Sequence, residues 1–231
     1  MYNKDIKNKE QDMVSFNDIK NNADINEYIK AADASLSALG FTDHSFGHVG
    51  IVADRASELL SALGADERSV ELAKIAAYLH DIGNLVNRSE HSQSGAVMAF
   101  RILDNLGMDA REIATVVTAI GNHDEGTGVP VNDLAAALIL ADKSDVRRSR
   151  VRNTDPATFD IHDRVNYSVV ASSLVIDTGC RTVRLVLKID TETAPIMDYF
   201  ERFLGRMNMC RRAAEKLGLD FKLTINEQNF I

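Results

Sequence analysis

Val70-Glu71-Leu72-Ala73-Lys74-Ile75-Ala76-Ala77-Tyr78-Leu79-His80-Asp81-Ile82-Gly83 is apolar on nearly every side until it reaches His80 and Asp81. Such a stretch is predicted to be a helix buried within a helical domain. Asp66 is its expected N-cap and Gly83 its expected C-terminal stop. An imidazole and a carboxylate at the end of a buried helix need partners, because an unpaired buried charge costs several kcal/mol. A divalent cation satisfies both at once, and a hydrogen-bonded His-Asp pair closing the helix is the other solution.

The segments on either side read in the same way. Ile25, Tyr28, Ile29, Ala32, Leu36 and Leu39 form one apolar stripe of a helix expected to start at Asp24, with Asp24 and Glu27 at capping-box spacing. A helix over about residues 46–63 carries His48 on the face of Ile51 and Val52, and His44 shares that face only if the helix begins one turn earlier. Ser89 is the expected cap of a helix over about 90–106, with His91 in its first turn, where the helix dipole favours a neutral imidazole. Asp109 and Glu112 suggest a second capping box, and His123 extends the stripe of Ile113, Val116, Val117 and Ile120. Asn132 caps a helix on whose inner face Asp142 takes the position of an apolar residue, with Asp145 one turn on. His48, Asp81, His123 and Asp142 are thus ionisable groups on inward faces, and His80 adjoins them. One shared centre accounts for all of them. Imidazoles and carboxylates without thiolates suit iron, manganese, zinc or magnesium in an open site.

Composition narrows the classes. The chain has 231 residues, a net charge of −8 and two cysteines, Cys180 and Cys210. That balance argues against general nucleic-acid binding, no zinc-type Cys pair exists, and two scattered thiols fit a reducing compartment. No apolar run is long enough to span a bilayer and no leader pattern opens the chain, so the cytoplasm is the expected location.

The order of these residues resembles the HD superfamily of metal-dependent phosphohydrolases, whose signature is an early His, a His-Asp pair and a later Asp. Here they match His48 in Gly47-His48-Val49-Gly50, then His80-Asp81, then Asp142 in Ala141-Asp142-Lys143. His91 and His123 resemble the two additional histidines of members with a dinuclear centre. The resemblance implies one metal on His48, His80, Asp81 and Asp142, and a second on His91 and His123 with Asp81 shared. It implies cleavage of a phosphoester or phosphoanhydride in a small, nucleotide-like substrate by metal-activated hydroxide oriented by Asp81. Lys143 and Arg147, from the basic run 147–152, are the expected phosphate-holding side chains. Asn84 stands where the cyclic-dinucleotide branch has Lys, and Gly128-Val129-Pro130 matches its Gly-Tyr-Pro only in part. Hydrolases of diadenosine polyphosphates look closer. The ligands alone leave open a dinuclear iron oxygenase of the same superfamily, and also a non-catalytic regulatory protein that holds metal or ligand.

The expected architecture is mainly α: a flexible arm over 1–22, an HD-type helical bundle over 23–155 and a small C-terminal α+β subdomain over 156–231. In the last part Val165 to Ile176 and Val183 to Ile189 read as strands, residues 195–217 as a long helix, and Phe221 to Ile225 as a last strand of an antiparallel sheet. The seam of the long helix is also compatible with a homodimer. His162, in the repeated dipeptide His162-Asp163, is assigned no role.

Overall fold

The computed structural model describes residues 13–231, so residues 1–12 of the expected arm lie outside the described part. Residues 13–22 are docked on the bundle. Ser15 and Asp18 form a reciprocal capping box on α1 (Phe16–Lys20), and Val14 and Ile19 are buried. Arg68 ties this segment down by donating to Val14 O at 2.9 Å while gripping Glu112 with two bonds of 2.7 and 2.6 Å. Glu112 is therefore committed to Arg68 rather than to a capping box with Asp109.

The bundle follows in chain order as α2 (Ala23–Ala38), α3 (Phe46–Ala62), α4 (Glu67–Leu79), α5 (His91–Asn105), α6 (Ala110–Gly121) and α7 (Asp133–Ser144). Side chains cap most of these helices, as their polar starts demand. Asn22, not Asp24, caps α2; Ser45, Asp66, Asp109 and Asn132 cap α3, α4, α6 and α7. Ser89 does not cap α5, whose first position follows Glu90 in a left-handed conformation at φ 57°. Helix α7 is the axis of the bundle: every residue from Leu134 to Ser144 is buried, and it packs on α3, α4, α6 and the C-terminal helix.

The central helix stops earlier than its sequence suggests. α4 ends at Leu79, and a 3₁₀ turn over Ile82–Leu85 follows. Gly83 does not terminate the helix. It lets this turn press against α5, where a Cβ would meet His91 O at 2.0 Å and Gly95 N at 2.4 Å. Backbone-to-backbone approach of this kind excludes any larger residue.

After α7 the chain forms a short helix α8 (Ile161–Ser168), β1 (Val169–Asp177), β2 (Thr182–Ile189), a 21-residue helix α9 (Ile196–Lys216), β3 (Asp220–Ile225) and β4 (Gln228–Asn229). The strand expected to begin at Val165 begins at Val169, because Asp160 caps a helix through the Asp163 N–H. The sheet order is β1-β2-β3-β4, with β1 and β4 antiparallel to their neighbours and β2 parallel to β3. It is thus mixed rather than antiparallel. The connection from β2 to β3 is the long helix, and such a crossover returns the chain in the same direction. Leu185 pairs with Leu174 on one side and Leu223 on the other. The core runs without a break from Val14 to Ile225, so bundle and sheet share it.

Gly83→Ala should lower unfolding free energy by about 3 kcal/mol in urea denaturation, because neither backbone atom it strikes can yield cheaply. Gly50→Ala, in α3 with nothing within 4 Å of the added methyl, should instead be neutral or stabilising by up to about 1 kcal/mol.

Candidate metal centre

Five elements converge at the C-terminal end of α4. His48 comes from the first turn of α3, His80 and Asp81 from the end of α4, His91 from the first residue of α5, His123 from just beyond α6, and Asp142 from the last turn of α7. Helix α6 does end at Gly121. His123 still turns inward because its backbone and ring both bond Ile120 O. All six side chains are buried or at the edge of burial.

Each imidazole is held by Nδ1. His48 Nδ1 lies 2.8 Å from Asp145 Oδ2, His80 Nδ1 2.7 Å from Ala77 O, His123 Nδ1 2.6 Å from Ile120 O and His91 Nδ1 3.1 Å from Arg88 O. These partners are acceptors, so Nδ1 carries the proton in all four rings and Nε2 is the atom left to ligate. Among the described residues, the buried His48 Nε2 and His80 Nε2 have no hydrogen-bond partner. Two orphaned ring nitrogens in a buried, carboxylate-bearing site are the feature a cation would satisfy.

Asp81 lies at the centre, and its two oxygens face different histidines. Oδ2 is 3.1 Å from His80 Nε2 and 3.6 Å from His48 Nε2; Oδ1 is 3.5 Å from His91 Nε2 and 3.8 Å from His123 Nε2. Asp142 Oδ1 adds to the first group, 3.3 Å from His48 Nε2. Two donors each about 2.1 Å from a common ion stand roughly 3.0–3.4 Å apart. His48, His80 and Asp142, and again His80, Asp81 and His123, present atoms close enough to hold a metal ion. Asn84 steadies the shared carboxylate, donating from Nδ2 to Asp81 Oδ1 at 3.0 Å.

The electrostatics favour added positive charge. Burial pushes the Asp81 carboxyl up, but His80, His123 and His48 pull it well below the usual carboxylate range. Burial likewise opposes ionisation of Asp142, and Lys143 and His48 overcome it. Burial and Arg150 push His48 down, yet the carboxylates of Asp142, Asp145 and Asp81 outweigh them and raise it to about 9. His91, desolvated and beside His123 and Arg88, falls to about 4 despite Asp81. A proton on His48 is the site's own counter-charge, and a metal would take its place.

A cavity of about 480 Å³ opens onto this cluster, lined by Asp81, His91, His123 and Asp142 together with His44, Lys143 and Arg150. Lys143 Nζ is 2.6 Å from Asp142 Oδ2. Arg147 is not among the lining residues. The chain leaves the helix at Asp145 and is extended at Arg147, so the guanidinium turns back to Asp145 Oδ1 at 2.5 Å. Arg148 is bound to Tyr167 O and Asp190, and Arg152 to Asp33 and Asp43. Of the basic run only Arg150 reaches the cavity. Asp145, the tether of His48, carries a sequence signal as the next position of the Asp142 stripe. Arg88, Arg202 and Arg206 also line the cavity, and only the i, i+4 spacing of the last pair hints at it. His44 comes within 4.0 Å of Asp81 although α3 does not extend back to include it.

In chelator-treated protein, His48 near 9 against 6.5 when unfolded contributes on the order of 3 kcal/mol. That stability is complete below pH 6.5 and lost as pH rises through 9. Asp81 and Asp142 act oppositely, contributing above pH 3.8 and losing it in acid. The melting temperature of stripped protein should therefore fall between pH 6.5 and 9, and His48→Gln should flatten that fall.

A family model described as HD domain matches residues 45–147. An uncharacterized protein of Methanocaldococcus jannaschii is 30% identical over 183 residues, covering 69% of this chain and 68% of its own. A crystal structure of a predicted HD superfamily hydrolase from an uncultured Thermotogales bacterium is 26% identical with a TM-score of 0.40, covering 52% of this chain and 67% of that one. With its early His on α3, its His-Asp pair at the end of α4 and its later Asp on α7, the chain belongs to the HD domain family.

Proposed function

We propose that this protein is a metal-dependent phosphohydrolase that cleaves a phosphoester or phosphoanhydride of a small, nucleotide-like substrate. The observation that carries this reading is Asp81, with one oxygen toward His48 and His80 and the other toward His91 and His123. A single-ion site has no use for the second group. His48, His80, Asp81 and Asp142 would hold one ion, and His91 and His123, with Asp81 shared, the other. Divalent ions there, iron, manganese, zinc or magnesium, would neutralise phosphoryl oxygens and supply an activated water near neutral pH.

The chain's own groups complete the chemistry. Asn84 fixes the rotation of the Asp81 carboxylate and Asp145 that of the His48 ring, so the ligands need no reordering when a substrate arrives. Lys143, bound to Asp142 on the cavity wall, would hold a non-bridging phosphoryl oxygen. The cavity volume of about 480 Å³ is that of a small-molecule site. Residues 23–155 supply the ligands and residues 156–231 shape the cavity. Among the described residues no helix is long and apolar enough to cross a membrane.

Protein purified without chelator should carry about two metal ions per chain, falling to about one in His91→Ala/His123→Ala. With manganese or iron, phosphate release from nucleotides should drop about a hundredfold or more in Asp81→Asn. No release with any metal would overturn the reading, and oxygen consumption by the iron form would move the assignment to the oxygenase chemistry of the superfamily.

A further inference from the structure

Part of the cavity wall, carrying none of the candidate metal ligands, is built by the C-terminal region. α9 contributes Arg202 and Arg206, four residues apart and so on one face of the helix, and α8 contributes His162. Arg202 Nε donates to His162 Nδ1 at 2.9 Å. That bond assigns the His162 proton to Nε2 and leaves a guanidinium and a ring N–H as a pair of donors. Among the described residues Arg202 has no carboxylate partner, whereas Arg206 is bound to Glu125 at 2.8 Å and lies over the Phe203 ring at 4.2 Å.

The acids of this wall are already engaged. Asp160 accepts from the Asp163 N–H at 2.7 Å as the cap of α8, Asp163 accepts from Asn153 at 3.2 Å, and Glu125 is held by Arg206. Over the whole cavity five Lys and Arg face six Asp and Glu. Two divalent ions and the hydroxide they activate would bring that near-balance to roughly +2, which the reacting phosphate dianion neutralises. A second anionic group is called for by Arg202, a guanidinium on the cavity wall with no carboxylate partner among the described residues.

We propose that Arg202, His162 and Arg206 form an oxyanion subsite that holds a second anionic group of the substrate while the first reacts at the metal centre. The substrate class is then a small bisphosphate, or a nucleotide with phosphate at both ends, rather than a simple monoester. This rests on the hydrolase reading for the reacting group, but the subsite itself is built from residues remote in sequence from the metal ligands.

The experiment has two arms. In the first, full-length chelator-treated protein is titrated with inorganic phosphate while the ring resonances of His162, assigned with His162→Ala, are followed by NMR. Phosphate should shift them, and Arg202→Ala should weaken binding about tenfold, with Arg202→Lys recovering part of the loss. In the second, kcat/KM of the manganese-loaded protein is compared for a nucleoside 3′,5′-bisphosphate and the matching 5′-monophosphate. Wild type should prefer the bisphosphate, and Arg202→Ala should cut the preference about tenfold. Unmoved His162 resonances, or a preference unaltered by Arg202→Ala, would overturn the proposal. If wild type cleaves neither compound and releases no phosphate from a nucleoside triphosphate, the hydrolase reading fails, while the phosphate titration still decides whether an oxyanion binds between Arg202 and His162.

Discussion

The structure depends on burying Asp81. A carboxylate that is only 6% exposed at the centre of a helical bundle survives ionised only if positive or donating groups surround it. Asn84 donates to it and His48 supplies the charge, while the Nε2 atoms of four imidazoles, each ring fixed by a backbone carbonyl or by Asp145, face it from four directions and leave a place for a cation. The helices are arranged to deliver them. α4 must stop at Leu79 so that Asp81 can turn into the centre, and the turn after it must lie close enough to α5 to bring His91 within 3.5 Å. Gly83 and Gly95 permit that approach, and a Cβ on Gly83 would meet the backbone of the very residue that carries the ligand.

The C-terminal region reaches the same point from outside. α9 packs on α7, the helix that carries Asp142 and Lys143. It also pins the loop after His123, through Arg206 to Glu125 and through Met209, which lies against Gly128, where the Asn122 and Asp124 carbonyls already leave no room for a side chain. The mixed sheet serves as a base for this helix: β2 and β3 are paired in parallel because α9 is the crossover between them. A region of different architecture therefore forms one wall of the cavity without supplying any of the candidate ligands.

Basic side chains are gathered at the cavity, nearly matching its acids in number. The protein as a whole carries −8, yet Arg88, Lys143, Arg150, Arg202 and Arg206 gather around a single opening. Three of them are spoken for by acids: Lys143 by Asp142, Arg150 by Asp145 and Arg206 by Glu125. Buried cations are tolerated where such partners exist. The same pairs can loosen toward an anionic ligand, which is a physical reason for an acidic protein to concentrate arginine here.

Local pattern was enough for much of this. Helical period placed His48 with Ile51 and Val52 and placed Asp142 where an apolar residue belongs, and both side chains are indeed turned inward. The long C-terminal helix and the strand directly after it were legible from their periods, as was a mainly helical fold with a small sheet; the short β4 was not. What the sequence could not show were choices between equally good local partners and the directions taken after helix ends. Glu112 has capping-box spacing to Asp109 but pairs with Arg68, 44 residues away. Arg147 and Arg150 are chemically alike, yet the extended backbone at Arg147 sends its side chain to Asp145 while Arg150 faces the cavity. His162 looked like a residue of a polar connector until α9 placed Arg202 beside it. The sequence by itself determined which residues must be inside, because burial follows the 3.6-residue period; only the tertiary structure decided which of them meet, because that depends on where each helix ends and what packs across the gap.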